Sequence, residues 1–237
     1  MMETARQLVS GARRVVAFSG AGLSAESGVP TFRDAETQGF WLNYDPGKLA
    51  SPEGFAADPE LVYTWYNERR RNIAQVQPNA AHRALAARPD IVNITQNIDD
   101  LLHRAGAREV IQLHGTLTVD RCDGKCGYEE EVALHDPPAA RECPVCGNWL
   151  RPAVVWFGEA LPMEAWTEAE ERCRSCEVML VVGTAAEVYP AAGLIGLSKS
   201  CGARIIVVNP HASQASALAD IEFCGKAGEV LPMLLGG

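Results

Sequence analysis

The chain lacks a basic surplus: 21 Lys and Arg stand against 30 Asp and Glu, a formal charge of −9. Direct nucleic-acid binding is not expected, because nothing on that balance neutralises phosphates over a broad surface. An acidic surface favours solubility, and secondarily basic partners such as lysine-rich peptides. Long apolar runs are also missing, so no membrane span is expected. The first apolar run, Val15-Val16-Ala17-Phe18, is short and leads into a glycine turn rather than a cleavage site. That disfavours a secretory signal. Neither internal repeats nor low-complexity tracts occur. With no secretory signal in view, the eight cysteines point to metal or buried thiols before disulfides, and to a cytoplasmic location.

What is present is an ordinary globular composition, 47% apolar and 22% charged over 237 residues. That is enough for a sizeable core in one domain with a substantial insertion, or in two small ones. Apolar runs at 15–19, 90–95, 109–113, 153–157, 178–182 and 204–208 read as strands. Helical patterns cover 3–14 (ending at Gly11), 59–77, 79–87, 100–105, 163–173 and 191–200. Residues 34–60, rich in Gly and Pro, read as loop and short helix. Short apolar strands alternating with helices predict an α/β fold, a parallel sheet covered on both faces. Ligands of such sheets bind at the carboxyl ends of the strands. The run Arg69-Arg70-Arg71 reads as a solvated helix face unless one member has a task.

The cysteines sort into groups. Cys122-x-x-x-Cys126-Gly and Cys143-Pro-Val-Cys146-Gly are separated by sixteen residues. Each offers two thiolates on a tight turn, and four soft thiolates suit tetrahedral Zn²⁺. The first pair is one residue longer than the usual spacing. Four cysteine ligands leave no open coordination position, so this zinc is expected to be structural. Cys173-Arg-Ser-Cys176 lacks a following glycine and a second pair, and reads as buried or free thiols. Cys201 and Cys224 read as packing residues.

Gly20-Ala21-Gly22 follows a strand and could admit a phosphate-bearing ligand. A hydride-transfer fingerprint would need a third glycine at position 25, which is Ala, and an acidic residue after a second strand, which is not there. Gln96-Asn97-Ile98-Asp99 puts polar groups at a strand end, and His114 follows another apolar run as a candidate base.

Taken together, Gly20-Ala-Gly-Leu-Ser-Ala-Glu-Ser-Gly-Val-Pro-Thr-Phe-Arg33, Thr95-Gln-Asn-Ile-Asp99, His114-Gly115, the four cysteines, Gly183-Thr184 and Val208-Asn209-Pro210 resemble the sirtuins, NAD-dependent protein-lysine deacylases. The motifs occur in the family's order from residue 15 to about 230. The resemblance implies a Rossmann-like NAD-binding domain over 1–34, 79–116 and 152–237. A small domain would comprise a helical insertion, 35–78, and a zinc-ribbon insertion, 117–151. It implies NAD as a consumed co-substrate and one structural zinc on Cys122, Cys126, Cys143 and Cys146. NAD would meet Gly20, Ala21, Gly22, Glu26, Thr31, Phe32, Arg33, Gln96, Asn97 and Asp99 on its pyrophosphate and nicotinamide sides. Gly183, Thr184, Ala185, Asn209, Pro210 and Ala227 would serve the phosphate, ribose and adenine sides. Ala185 stands where the family commonly has serine. His114 is the implied general base, with Asn97 beside it, and the products are free lysine, nicotinamide and 2′-O-acyl-ADP-ribose. The implied partners are acyl-lysine proteins or peptides.

Tyr66 and Arg69, one helical turn apart, resemble the Tyr-x-x-Arg of sirtuins that remove succinyl and malonyl groups. Ala50 matches the small residue of that class. Arg69 would hold the distal carboxylate, Tyr66 would add a hydrogen bond, and acetyl-lysine would remain a possible substrate. Val155, Trp156, Phe157 and Gly158 would pair with an extended peptide as an edge strand does. Two alternatives stay open: protein mono-ADP-ribosyl transfer, and a non-catalytic NAD-sensing or zinc-ribbon module.

Overall fold

A computed structural model describes residues 1–30 and 45–236. In chain order the first half runs α1 (Met2–Gly11), β1 (Val15–Ser19), α2 (Gly22–Ala25), α3 (Pro46–Leu49), α4 (Pro52–Ala57), α5 (Pro59–Gln75), α6 (Ala80–Ala86), β2 (Ile91–Thr95), α7 (Leu101–Ala105) and β3 (Val110–Gln112). The second half runs β4 (Gly115–Cys122), β5 (Glu129–Glu131), β6 (Leu150–Val154), α8 (Met163–Ser175), β7 (Val178–Val182), α9 (Gly193–Ser200), β8 (Arg204–Asn209), β9 (Ile221–Cys224) and α10 (Ala227–Leu235).

Six strands form one sheet in the order β3-β2-β1-β7-β8-β9, every neighbouring pair parallel. β1, β7 and most of β8 are buried on both faces. Their apolar side chains alternate between two separate clusters. Val15 and Ala17 join Leu180, Val208 and Leu231 on one face, whereas Val16 and Phe18 join Val181, Ala169 and Ile195 on the other. This is the covered parallel sheet that alternating short apolar strands demand. Counted within the sheet, the strand order is 3-2-1-4-5-6, so the order reverses between β1 and β7. Ligands of open α/β sheets bind outside the carboxyl ends at such a reversal.

Local signals set the helix ends. Asp58 accepts a bond from the Leu61 N–H and Pro59 takes the first helical position of α5, as capping chemistry favours. Asn79 and His82 form a reciprocal capping box on α6. α10 ends on Gly236 at φ +80°, a left-handed conformation open to glycine. No helix among the described residues is long and apolar enough to cross a membrane.

A second sheet, β5-β4-β6, is antiparallel. Here the expected strand at 153–157 needs correction. It ends at Val154 and belongs to this small sheet, not to the parallel one. Beyond it the chain turns: the Glu159 N–H bonds back to the Trp156 carbonyl, the Trp156 N–H donates to the Glu159 carboxylate, and Gly158 sits at φ +86°. β9 and α10 were not resolved from the apolar pattern and complete one edge and one face of the parallel sheet. A third apolar cluster joins α4 and α5 to β4 and β6.

The arginine run also needs correction. Arg71 is exposed, but Arg70 is fully buried. It pairs with Asp120 of β4 at 2.6 Å, donates to the Leu117 carbonyl at 2.9 Å and to Asn67 at 3.1 Å. Asp120 also accepts from Tyr63 and from Arg141. Buried ionic groups are tolerated when each is paired and hydrogen-bonded. Thus α5 is locked to the small sheet through the middle residue of an apparent surface run.

Candidate active site

At the reversal point, two turns meet backbone to backbone. The Gly20 N–H donates to the Val182 carbonyl and the Gly22 N–H to the Gly183 carbonyl at 2.8 Å. A Cβ on Gly22 would lie 2.7 Å from the Gly183 Cα, and one on Gly20 would lie 2.8 Å from the Thr184 Cβ. Gly183 itself sits at φ +59°. These glycines therefore first let the β1 and β7 turns pack. The Gly20 and Gly22 donors are engaged within the protein, while the Ala21 N–H has no hydrogen-bond partner among the described residues.

Beside this turn, the residues after β2 form a buried polar network. Ser24 lies at its centre: it donates to Asp99 at 2.8 Å and accepts from the Asn97 amide at 3.1 Å. His82 Nε2 lies 3.4 Å from the same hydroxyl, and its Nδ1 accepts from the Asn79 N–H. That pattern assigns the His82 proton to Nε2. Burial pushes His82 down to about 4, so it is a neutral donor at pH 7. Burial raises Asp99 above the usual carboxylate range, offset in part by bonds from the Leu101 N–H and Ser24. Ser24 and His82 escaped the reading of motifs; Asn79-x-x-His82 at a helix start was the available signal.

His114 sits after β3, half-buried. Its Nδ1 bonds to the Gln96 carbonyl at 2.9 Å. Donation there leaves Nε2 with the lone pair. Burial holds this histidine below its ordinary range, and the Gln96 bond opposes that shift. The result is a neutral imidazole whose Nε2 lone pair has no hydrogen-bond partner among the described residues. The Gln96 amide reaches back to Thr184 Oγ1 at 3.0 Å, tying the His114 side to the β7 turn.

Along the other half of the carboxyl edge, Thr184 is buried, and its carbonyl accepts from the Asn209 amide at 2.9 Å. The Asn209 amide also meets Ser213 at 3.2 Å. The Ala185 carbonyl accepts from the Gln214 N–H, while Pro210 is exposed after β8 and Ala227 is buried at the start of α10. The Glu26 carboxylate accepts from the Gly228 N–H at 2.8 Å, where a negative charge stabilises the start of α10. Thr31, Phe32 and Arg33 lie outside the described residues.

On the small-sheet side, Ala50, Tyr66 and Trp156 share one apolar cluster. Three peptide donors of the expected edge strand are engaged internally. Val155 N–H goes to the His114 carbonyl, Trp156 N–H to Glu159, and Phe157 N–H to the Ala50 carbonyl. The Gly158 N–H has no hydrogen-bond partner among the described residues. Phe157 is half exposed and Trp156 is buried. Arg69 is half-buried, stacks 4.9 Å over the Trp65 ring, and meets no carboxylate among the described residues.

The four Sγ atoms of Cys122, Cys126, Cys143 and Cys146 lie within 4.8 Å of one another. Cys122–Cys146 is 3.3 Å and Cys126–Cys143 is 3.6 Å. A zinc thiolate tetrahedron has edges of about 3.8 Å, so the set fits zinc. Lys125 at φ +57° absorbs the extra residue of the first pair. All eight cysteines are free of disulfides. Cys173 and Cys176 are buried as expected, and burial pushes Cys173 up to about 12. Cys201 and Cys224 are exposed, not packed.

Comparisons with known proteins agree with this geometry. The Sir2 family model matches residues 20–190. An NAD-dependent protein deacylase of Ralstonia nicotianae is 49% identical, over 98% of this chain and 94% of its own length. NAD-dependent protein deacylase 1 of Pseudomonas aeruginosa is 48% identical, over 99% and 98%. A solved Sir2 homolog–NAD complex superposes with a TM-score of 0.93 at 43% identity, over 99% of this chain and 92% of that one. A Sir2–p53 peptide–NAD⁺ complex gives 0.86 at 29%, over 100% and 98%. With its parallel sheet, its glycine turns at the strand reversal and its cysteine tetrad, this chain belongs to the Sir2 family.

Proposed function

We propose that this chain is an NAD-dependent protein-lysine deacylase acting on succinyl- and malonyl-lysine, and on acetyl-lysine as well. Its kinship over nearly full length with NAD-dependent protein deacylases supports the activity. One observation carries the catalytic assignment: His114 Nδ1 is tied to the Gln96 carbonyl, which leaves the lone pair on Nε2, and burial keeps that nitrogen unprotonated at neutral pH.

NAD is consumed as a co-substrate and supplies an electrophilic ribose C1′ with nicotinamide as its leaving group. The acyl-lysine carbonyl oxygen is the nucleophile. Asn97 and Asp99, oriented by Ser24, hold the nicotinamide side, and the Gly183–Thr184 and Asn209 turns hold the adenosine side. His114 accepts a ribose hydroxyl proton, so that the 2′-oxygen attacks the former acyl carbon. The carbon–nitrogen bond then breaks and free lysine leaves, and a water molecule adds to the carbon held between the 1′- and 2′-oxygens, releasing the 1′-hydroxyl and leaving 2′-O-acyl-ADP-ribose. Segments 1–34, 79–116 and 152–237 bind NAD in this reading, and 35–78 with 117–151 form the small domain. The zinc on the four cysteines shapes that domain. A cytoplasmic setting suits eight cysteines free of disulfides.

The acyl preference rests on Arg69, a half-buried cation without a carboxylate partner among the described residues, beside Tyr66. A distal carboxylate satisfies both. Ala50 leaves room for the longer chain.

Peptides carrying acetyl-, succinyl-, malonyl- or long-chain acyl-lysine, incubated with NAD, test the proposal. Acyl-dependent nicotinamide release and 2′-O-acyl-ADP-ribose are expected, and His114→Ala should lower the rate about 10³-fold. Equal release by wild type and His114→Ala overturns the reading. ADP-ribose retained on protein, without the acylated product, replaces it with ADP-ribosyl transfer.

A further inference from the structure

Trp156 stands one residue before the half-exposed Phe157, yet its side chain turns inward. Its indole N–H donates to the Tyr66 hydroxyl at 2.9 Å, with both residues buried. An indole nitrogen only donates, so the phenol oxygen is the acceptor and its own hydrogen must point elsewhere. Among the described residues that hydrogen finds no acceptor. Burial raises Tyr66 to about 12, so the phenol keeps its proton over the whole neutral range.

The indole is itself held in place. The Arg151 guanidinium lies 3.8 Å over its ring, and Phe55 packs at 5.2 Å on a tilted plane. Its backbone N–H is fixed to Glu159 at 2.9 Å, and Glu159 is paired with Arg151 and Arg121. An aromatic ring under a cation and against another ring has one orientation available. The Tyr66 hydroxyl therefore meets a donor fixed by the small sheet, while Arg69 is carried one turn further along α5.

We propose that Trp156 is a positioning residue for acyl selectivity: its indole N–H occupies the Tyr66 oxygen and turns the phenol hydrogen toward an anionic acyl terminus beside Arg69. This rests on the acyl reading above and deepens it. A carboxylate-bearing acyl group accepts from both Tyr66 and Arg69. An acetyl methyl accepts from neither, so it gains nothing from the alignment.

The test measures kcat and KM on succinyl- and acetyl-lysine peptides for Trp156→Phe, Tyr66→Phe, their double variant and Arg69→Met. Trp156→Phe keeps a ring and deletes the N–H. It should lower the succinyl-to-acetyl ratio of kcat/KM about tenfold, the scale of one hydrogen bond to a charged group, through a rise in succinyl KM. The double variant should show the ratio of Tyr66→Phe alone, because Trp156 acts through that hydroxyl. Equal losses on both peptides from Trp156→Phe, or effects of the two single variants that multiply, overturn the proposal. Arg69→Met separates the layers. If it leaves the ratio unchanged, the acyl reading itself fails; if it lowers the ratio while Trp156→Phe does not, only the Trp156 inference fails. Should Trp156→Phe not fold, Tyr66→Phe decides. It should lower the ratio and shift the Trp156 indole N–H resonance, and a retained ratio or an unmoved resonance overturns the proposal.

Discussion

Around Gly20 and Gly183 the backbone itself makes the contacts; around Trp156 and Arg70 large buried side chains do. The parallel sheet carries a large apolar cluster on each face, so its carboxyl edge can be shaped by bare turns and short hydrogen bonds. Among the described residues the buried cluster at the zinc end of the antiparallel sheet is Cys122, Cys143 and Leu150, with Tyr128 against it. That end buries little apolar area of its own; the cluster shared with α4 and α5 covers the other end of the sheet. Thiolates, the Arg70–Asp120 pair and the Arg151–Trp156 stack supply the rest. The parallel sheet is held mainly by buried area and the zinc end mainly by thiolates and polar pairs, so they should fail under different insults.

The largest difference should come from the metal. Structural zinc holds on the order of 10 kcal/mol of binding free energy that becomes folding free energy. Cys143→Ser should lose the ion and the hydrogen-exchange protection of β4–β6, while β1, β7 and β8 keep theirs. Stoichiometric zinc in that variant, with full protection, would break the comparison. Next comes Arg70→Met. It leaves Asp120 buried with Tyr63 and Arg141 as its remaining partners, at a cost of about 3 kcal/mol; urea unfolding should show it, and a loss under about 1 kcal/mol would mean that α5 docks by apolar contact alone.

The parallel sheet has its own weak point, smaller and set by pH. His82 falls from an unfolded value near 6.5 to about 4 in the fold. The unfolded chain therefore takes the proton first. The stability is complete above pH 6.5 and is lost as pH falls toward 4. Between pH 7 and 4.5 this amounts to roughly 2–3 kcal/mol. Chemical denaturation at both pH values should show a steeper loss for wild type than for His82→Gln; parallel losses would remove His82 from the account.

Local signals made the parallel sheet legible. Strands such as 178–182 are apolar throughout, and the turns after them carry Gly22 or Gly183, which tolerate no Cβ. The cysteine spacing announced the metal for a similar reason: its ligands lie on two tight turns. Long-range pairing hid the rest. Nothing adjacent to Arg70 announces that Asp120, fifty residues on, will bury it. The strand at 153–157 was misplaced because apolar character cannot say which sheet takes a strand. Ser24 looked like an ordinary turn serine until the chain brought Asn97, Asp99 and His82 around it.

The proposed acyl preference rests on Arg69 of α5, a guanidinium with no carboxylate partner among the described residues, and the proposed NAD site at the carboxyl edge of the parallel sheet is indifferent to the acyl group. The ratio of kcat/KM on succinyl-lysine to that on acetyl-lysine, for wild type and Arg69→Met, measures this directly. The ratio should fall by about 10²-fold, equivalent to losing about 3 kcal/mol of charge-assisted hydrogen bonding. An equal loss on both peptides would contradict it.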